Sequence, residues 1–206
     1  MSFYMLLYKL VFNKWYSGEE MNRDYLVGKC LVAMPNLSDE RFEHSVVYLC
    51  AHNQEGAMGF VVNKQIKEFH FSDLVSQFNI GHMAPVEPIV LHKGGPLEQI
   101  RGFVLHSNDY HRDGTIAVDE KISVSSSLAV LNDIAFGAGP VYNLIALGYS
   151  SWSPKQLESE IIGNSWLVAD ATPELLFKTP DDEKWQRAID EFNFNVHDIC
   201  LRTGRA

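Results

Sequence analysis

The sequence predicts an α+β fold, and two observations carry that reading. Short runs rich in Val, Ile, Leu and aromatic residues, bounded by turn residues, recur from residue 28 onward and read as strands. Helical signals fall among them at irregular intervals, without the strand–helix alternation that builds a doubly wound parallel sheet. The 206 residues, 46% hydrophobic and 21% charged, have the composition of an ordinary globular protein and the length for one substantial core. No internal repeat, low-complexity run or linker divides them, so residues 21–206 are expected to form a single domain.

In chain order, residues 1–20 (MSFYMLLYKLVFNKWYSGEE) come first. Their apolar run is interrupted by Lys9 and is too short to span a bilayer. No basic leader or small-residue cleavage site flanks it, so residues 1–20 are read as an extension outside the core, with Met21 an alternative start. The expected strands are CLVAM, SVVYLCA, MGFVVNK, PIVLHKG, RGFVLHS, TIAVDEKISV, YNLIALGYS and WLVAD. FSDLVSQFNIG is expected to be a helix capped by Ser72, with Leu74, Val75 and Phe78 on its apolar face and Gly81 as its stop. SSSLAVLNDIAFG starts on serines, presents Leu128, Leu131 and Ile134, and ends at Gly137. In YSSWSPKQLESEIIG, Ser153 is the cap, Pro154 the first helical residue and Gln156 the partner in a capping box. Trp152 there packs on Leu157, which shares a face with Ile161. Thr172-Pro173 and Thr179-Pro180 repeat the cap-then-proline pattern, the second opening a helix with Trp185, Ala188, Ile189 and Phe192 on one side.

The net charge of −9 bears on partners. Phosphate neutralisation by Lys and Arg supplies most nucleic-acid affinity, and no Lys/Arg run offers it here, so direct nucleic-acid binding is disfavoured. Cys30, Cys50 and Cys200 are an odd number without CxxC spacing, and Cys30 and Cys50 sit in apolar runs. They read as buried thiols in a reducing cytoplasm rather than as a disulfide framework.

The segment VLHKGGPLEQIRGFVLH, residues 90–106, is the chief chemical candidate. Successive glycine N–H groups can nest an anion, with Lys93 and Arg101 in support. Yet both phosphate-loop patterns are absent and no helix follows, so two strands joined by a glycine–proline turn is the favoured reading. His92 and His106 would then meet across the hairpin, giving two metal ligands without a third; no structural metal and no cofactor are expected. GYSSW lacks the second glycine of a nucleophile elbow. DYHRDGTIAVDE imitates a calcium loop, but His111 is a poor ligand for a hard cation and Asp113-Gly114 is a turn signal. Asn63 and Lys64 close a strand as polar groups that can reach a ligand, whereas Glu158 and Glu160 read as solvated charges.

Taken in order, CLVAMPNLSDERFEHSVVYLCAHNQEGAMGFVVNK, LHKGGPLEQIRGFVLHS, LIALGYSSWSPKQLESEIIGNSWLVAD and LLFKTPDDEKW resemble the AlgH/YqgE family of bacterial proteins, from about residue 25 to the C-terminus. The ending TGRA departs from it, with Arg205 where histidine is frequent. The resemblance implies a mixed, branched β-sheet forming a partial barrel flanked by helices. It implies no settled activity, although AlgH-type members have been proposed as regulators of transcription.

The leading expectation is a cytoplasmic, non-enzymatic regulatory or interaction protein, acting on transcription indirectly through an unknown protein partner and without a membrane. The alternative is an enzyme or small anionic-ligand binder. Its site would assemble from Asn63, Lys64, the Gly94-Gly95-Pro96 loop, Arg101, Ser151 and Trp152, with His106 as general acid or base. Direct nucleic-acid binding is the third possibility.

Overall fold

Strand and helix signals resolve into nine strands and four α-helices in the computed structural model, which describes residues 25–81 and 88–192. The expectations for residues 1–20, Met21, Cys200 and the TGRA ending lie outside the described residues. The strands are β1 (Lys29–Ala33), β2 (Val46–Asn53), β3 (Gly56–Val61), β4 (Leu91–Lys93), β5 (Leu97–Ser107), β6 (Thr115–Ala117), β7 (Ile122–Ser125), β8 (Asn143–Trp152) and β9 (Trp166–Asp170). The helices are α1 (Phe71–Gln77), α2 (Leu128–Ala135), α3 (Gln156–Ile162) and α4 (Asp181–Asp190). Each expected run holds a strand, and TIAVDEKISV holds two. It folds back at Asp119, whose Oδ1 accepts the N–H groups of Lys121 and Ile122.

All nine strands join one sheet, ordered β6-β7-β5-β8-β3-β2-β1-β9, with β4 branching from β8; it curls into a half barrel. The branch lies on β8. Residues Ile145–Leu147 pair with β4 in parallel and with β5 antiparallel, and Ser150–Trp152 then pair with β3. Between the two stretches Gly148 takes φ +76°, which lets the strand change course.

This arrangement corrects the reading of the glycine–proline segment. β4 and β5 are not a hairpin, because they lie on opposite edges of β8 and the segment between them crosses over that strand. The crossing is backbone on backbone. A Cβ on Gly94 would stand 2.3 Å from the Gly148 carbonyl oxygen, and one on Gly95 2.2 Å from the Tyr149 carbonyl carbon. Glycine is needed because two main chains touch here. His92 and His106 consequently do not meet: His92 pairs with Ala146 and His106 with Asn143, on the two sides of β8. Asp113-Gly114 does form a turn, with Gly114 at φ +91°, but it leads into β6, which pairs with β7 rather than β5.

Both faces of the β1–β2–β3 region are buried, which explains why these strands read as continuous apolar runs instead of alternating. One face packs Cys30, Val32, Tyr48 and Phe60 against Leu176, Ala188 and Ile189 from the α4 side. The other packs Leu31, Val47 and Leu49 with Trp152, Leu157 and Trp166 near α3. A third cluster joins Leu91, Val104 and Ile145 to α1 and α2 through Leu74, Val75, Val130 and Leu131. Cys30 and Cys50 are buried, and desolvation pushes both thiols up to about 12. Among the described residues no helix is long and apolar enough to cross a membrane.

The helix starts differ in detail from the sequence reading. α1 is preceded by His70, not Ser72, and the His70 N–H donates to Asp73 Oδ2 at 2.9 Å. In α2 Leu128 is exposed while Val130, Leu131, Ile134 and Ala135 are buried. Gln156 does accept the Ser153 N–H at 2.9 Å, but Pro154 and Lys155 form a turn before α3, with Lys155 left-handed at φ +62°. Thr172 Oγ1 accepts the Leu175 N–H as expected of a cap, whereas Thr179 donates to Glu174 O and does not cap α4.

Glu158 and Glu160 are not solvated bystanders. Glu158 Oε1 lies 3.2 Å from the ring of buried His52. Glu160 Oε2 accepts the indole N–H groups of both Trp152 (2.9 Å) and Trp166 (2.8 Å), and Oε1 accepts from Gln156. Glu160→Ala would leave two indole donors in an apolar cluster without an acceptor. We expect a loss of about 2–6 kcal/mol, at about 1–3 kcal/mol for each unsatisfied group, in urea unfolding followed by tryptophan fluorescence.

Candidate functional site

The end of β3, the β4–β5 crossing, the short turn at Glu40–Phe42 and the start of α4 enclose a cleft of about 910 Å3. Four cationic side chains line it: Arg41, Lys64, Lys67 and Lys93. Gly95 and Pro96 supply backbone to its wall, because the crossing over β8 brings them to the surface beside Leu147. Facing these are Asp181 and Asp182 from the first turn of α4.

Not all of these charges are available. Arg41 makes a two-pronged pair with Asp39, whose carboxyl is held below its ordinary range chiefly by that hydrogen bond. Lys64 donates to the Glu43 carbonyl at 2.5 Å. Lys67 and Lys93 have no anionic partner among the described residues.

Behind the cleft lies a buried polar network. Lys184 is only 3% exposed, yet its ammonium donates to Asp181 Oδ1 (2.6 Å) and to the Val62 carbonyl (2.8 Å). Asp181 Oδ2 also accepts from Gln65 Nε2 at 2.6 Å and lies 3.0 Å from His92 Nε2. Burial pushes the Asp181 carboxyl upward, but the His92 hydrogen bond and the Lys184 and His92 charges outweigh it and hold the group well below the usual carboxylate range. Burial moves Lys184 the opposite way, below its ordinary value, because desolvation there exceeds the support from Asp181. The carboxylate governs the network: with three donors around it, Asp181 stays ionised at neutral pH, and its charge supports the Lys184 ammonium against burial. His92 Nδ1 is buried without a hydrogen-bond partner among the described residues.

The structure divides the residues singled out from sequence. Asn63, Lys64, Gly95 and Pro96 line this cleft, together with Lys93. Asn63 has a structural task there, since its side-chain amide accepts the Val46 N–H and donates to the His44 carbonyl. Gly94 sits at the join, donating to Leu147 O and accepting from Val61 N. Arg101, His106, Ser151 and Trp152 do not line it. Arg101 pairs with Glu98 at 3.1 Å and lies over the Phe103 ring. His106 is fully buried, with Nε2 2.9 Å from Ser125 Oγ and Nδ1 2.8 Å from the Ser107 carbonyl. Desolvation lowers its pKa below the ordinary histidine value, so the ring is neutral and sealed from any substrate in this cleft. Ser151 is exposed on β8, and Trp152 is buried on Glu160.

Sequence reasoning missed Arg41, Gln65, Lys67, Asp181 and Asp182. Lys67 and Gln65 lay just beyond a strand already marked by Asn63 and Lys64, so extending that polar stretch would have reached them. Arg41 and the aspartates arrive only through tertiary packing.

A branched half-barrel sheet with a charged cleft at its branch point is the class of structure these elements define. The chain belongs to the AlgH-like family, whose model (DUF179: AlgH-like) matches residues 30–197. A UPF0301 protein of Rhodospirillum rubrum is 41% identical over 187 residues, covering 91% of this chain and 97% of its own. Another from Cereibacter sphaeroides is 46% identical over 182 residues, covering 88% and 99%. The solution structure of the AlgH protein from Pseudomonas aeruginosa is 35% identical and superposes with a TM-score of 0.73 over 91% of this chain and 98% of that one. A crystal structure of a Corynebacterium diphtheriae protein, 21% identical, shares the fold at a TM-score of 0.65 over 88% of this chain and 92% of its own.

Proposed function

We propose that this protein binds a small anionic ligand in the cleft between the β4–β5 crossing and α4, and acts through that binding as a regulatory or interaction protein in the cytoplasm. One observation carries the reading: a chain of net charge −9 gathers Arg41, Lys64, Lys67 and Lys93 around a single concavity. Like charges held together repel, and a cleft that concentrates them is favoured by an anion that relieves the repulsion. Binding is preferred to catalysis because the cleft presents cations, amides and carboxylates, while the imidazole considered for proton transfer is inside the core. A ligand there would bridge β3 and β4 to α4, so loaded and empty forms would offer different faces to a partner protein. Any influence on transcription is then indirect, which suits the acidic total charge.

Titration of the labelled protein with inorganic phosphate and pyrophosphate, followed by NMR at physiological salt, tests this. Resonances of Lys67, Lys93 and Gly95 should shift. The double variant Lys67→Ala, Lys93→Ala should weaken binding about tenfold or more, the equivalent of about 1.4 kcal/mol. Absence of any shift in the cleft at millimolar anion would end the proposal.

A further inference from the structure

The uncommitted charges of the cleft have both signs, and their placement speaks to ligand class. On the basic side Arg41 is paired with Asp39, and Lys64 gives one of its three N–H groups to a backbone carbonyl, while Lys67 and Lys93 have no partner among the described residues. On the opposite side Asp181 is satisfied by Lys184, Gln65 and His92. Its neighbour Asp182 is exposed and lines the same cleft, and its carboxylate has no hydrogen bond or ion pair among the described residues. The start of α4 cannot itself serve as an anion site, because Asp181, Asp182 and Glu183 already fill its first turn with negative charge.

We infer that the ligand is a zwitterion of the aminoalkyl phosphate type, with a phosphate monoester against Lys67 and Lys93 and an ammonium group against Asp182. This rests on the anion-binding reading above and adds the second charge. The signs match: the unpaired ammonium groups suit a phosphate dianion, and the unpaired carboxylate suits a monocation. A ligand that is anionic throughout would bring negative charge against Asp182, and one that is cationic throughout would meet the lysines. Like-charge juxtaposition of this kind is how a site rejects wrong partners. Ile66 and Pro96, which also line the cleft, offer apolar surface to an aliphatic stem.

The test compares O-phosphoethanolamine with ethyl phosphate, which carries the same phosphate ester without the ammonium, by calorimetry and by NMR on the full chain. Phosphoethanolamine should bind at least about fivefold more tightly, about 1 kcal/mol in free energy. Asp182→Asn should abolish that preference while leaving ethyl phosphate bound as well or better. Asp182→Ser, with another residue suited to a helix start, should behave alike, and thermal unfolding of both variants checks that they are folded. Equal affinity for the two probes, or a preference that survives Asp182→Asn, overturns the zwitterion inference and leaves anion binding standing. Failure of both probes to shift any cleft resonance overturns both.

Discussion

Gly95→Ala is expected to destabilise the protein by about 3 kcal/mol or more, at the upper end of what one added methyl does in a packed interior. The new Cβ would stand 2.2 Å from the Tyr149 carbonyl carbon, 2.3 Å from its oxygen and 2.5 Å from the Ser150 nitrogen. All three are main-chain atoms of β8, so no side-chain rotation relieves the contact. Moving β8 away would break the register of Ser150 with Gly59 that ties the two arms of the sheet together. For a chain of this size about 3 kcal/mol lowers the melting temperature by about 6–12 °C. Gly102→Ala is the control: its Cβ would meet nothing nearer than Leu147 Cδ2 at 3.8 Å, an ordinary contact. It should change stability by about 0.5 kcal/mol or less. Equal melting temperatures for Gly95→Ala and wild type in calorimetry would show that the crossing is not as tight as described.

Asp181→Ala should cost about 3–5 kcal/mol, because it strands a buried cation. Lys184 would keep only the Val62 carbonyl, and Gln65 and His92 would lose their shared acceptor. Lys184→Met should cost distinctly less, since Asp181 retains two donors and borders the open cleft. Urea unfolding of the two variants side by side reads that order, and the reverse order would refute the network as described. The same carboxylate sets a pH dependence. Its folded pKa is depressed relative to the unfolded chain, where Asp titrates near about 3.9. It therefore contributes stability that is fully present above about pH 5 and is lost as pH falls through the unfolded value toward the folded one. Acid unfolding of Asp181→Ala should show a shallower decline over that range than wild type.

The strands were legible from sequence for a physical reason. Burial on both faces writes the uninterrupted apolar runs of β1 to β3, and all nine strands overlap the eight β-rich runs. What could not be read was their pairing. Gly94-Gly95-Pro96 announces a change of direction, but the partner that makes it a crossing, β8, is some fifty residues further on. The same limit applied to the cleft. Lys64, Gly95 and Pro96 stood out as polar or flexible positions at strand ends, and the structure brings them together. His106 and Trp152 stood out in the same way at strand ends, and position along the chain does not reveal that one is sealed in the core and the other held by Glu160. Lys184 shows the converse. In TPDDEKW it reads as one more charge on a solvated helix start, and only the position of Val62 and Asp181 reveals that it points inward.

The central position of β8 also governs the order in which the chain can assemble. During synthesis β3, β4 and β5 leave the ribosome well before Asn143–Trp152, the segment that all three must grip. Until then β4 and β5 have no mutual ladder to close, and β1 waits longer still for β9, where Cys30 meets Ala169. Such distant pairings slow folding, and unpaired apolar strands invite association with other chains while they wait. The nascent protein is thus most vulnerable just before β8 emerges, and a chain halted near residue 140 would be a natural client for a chaperone.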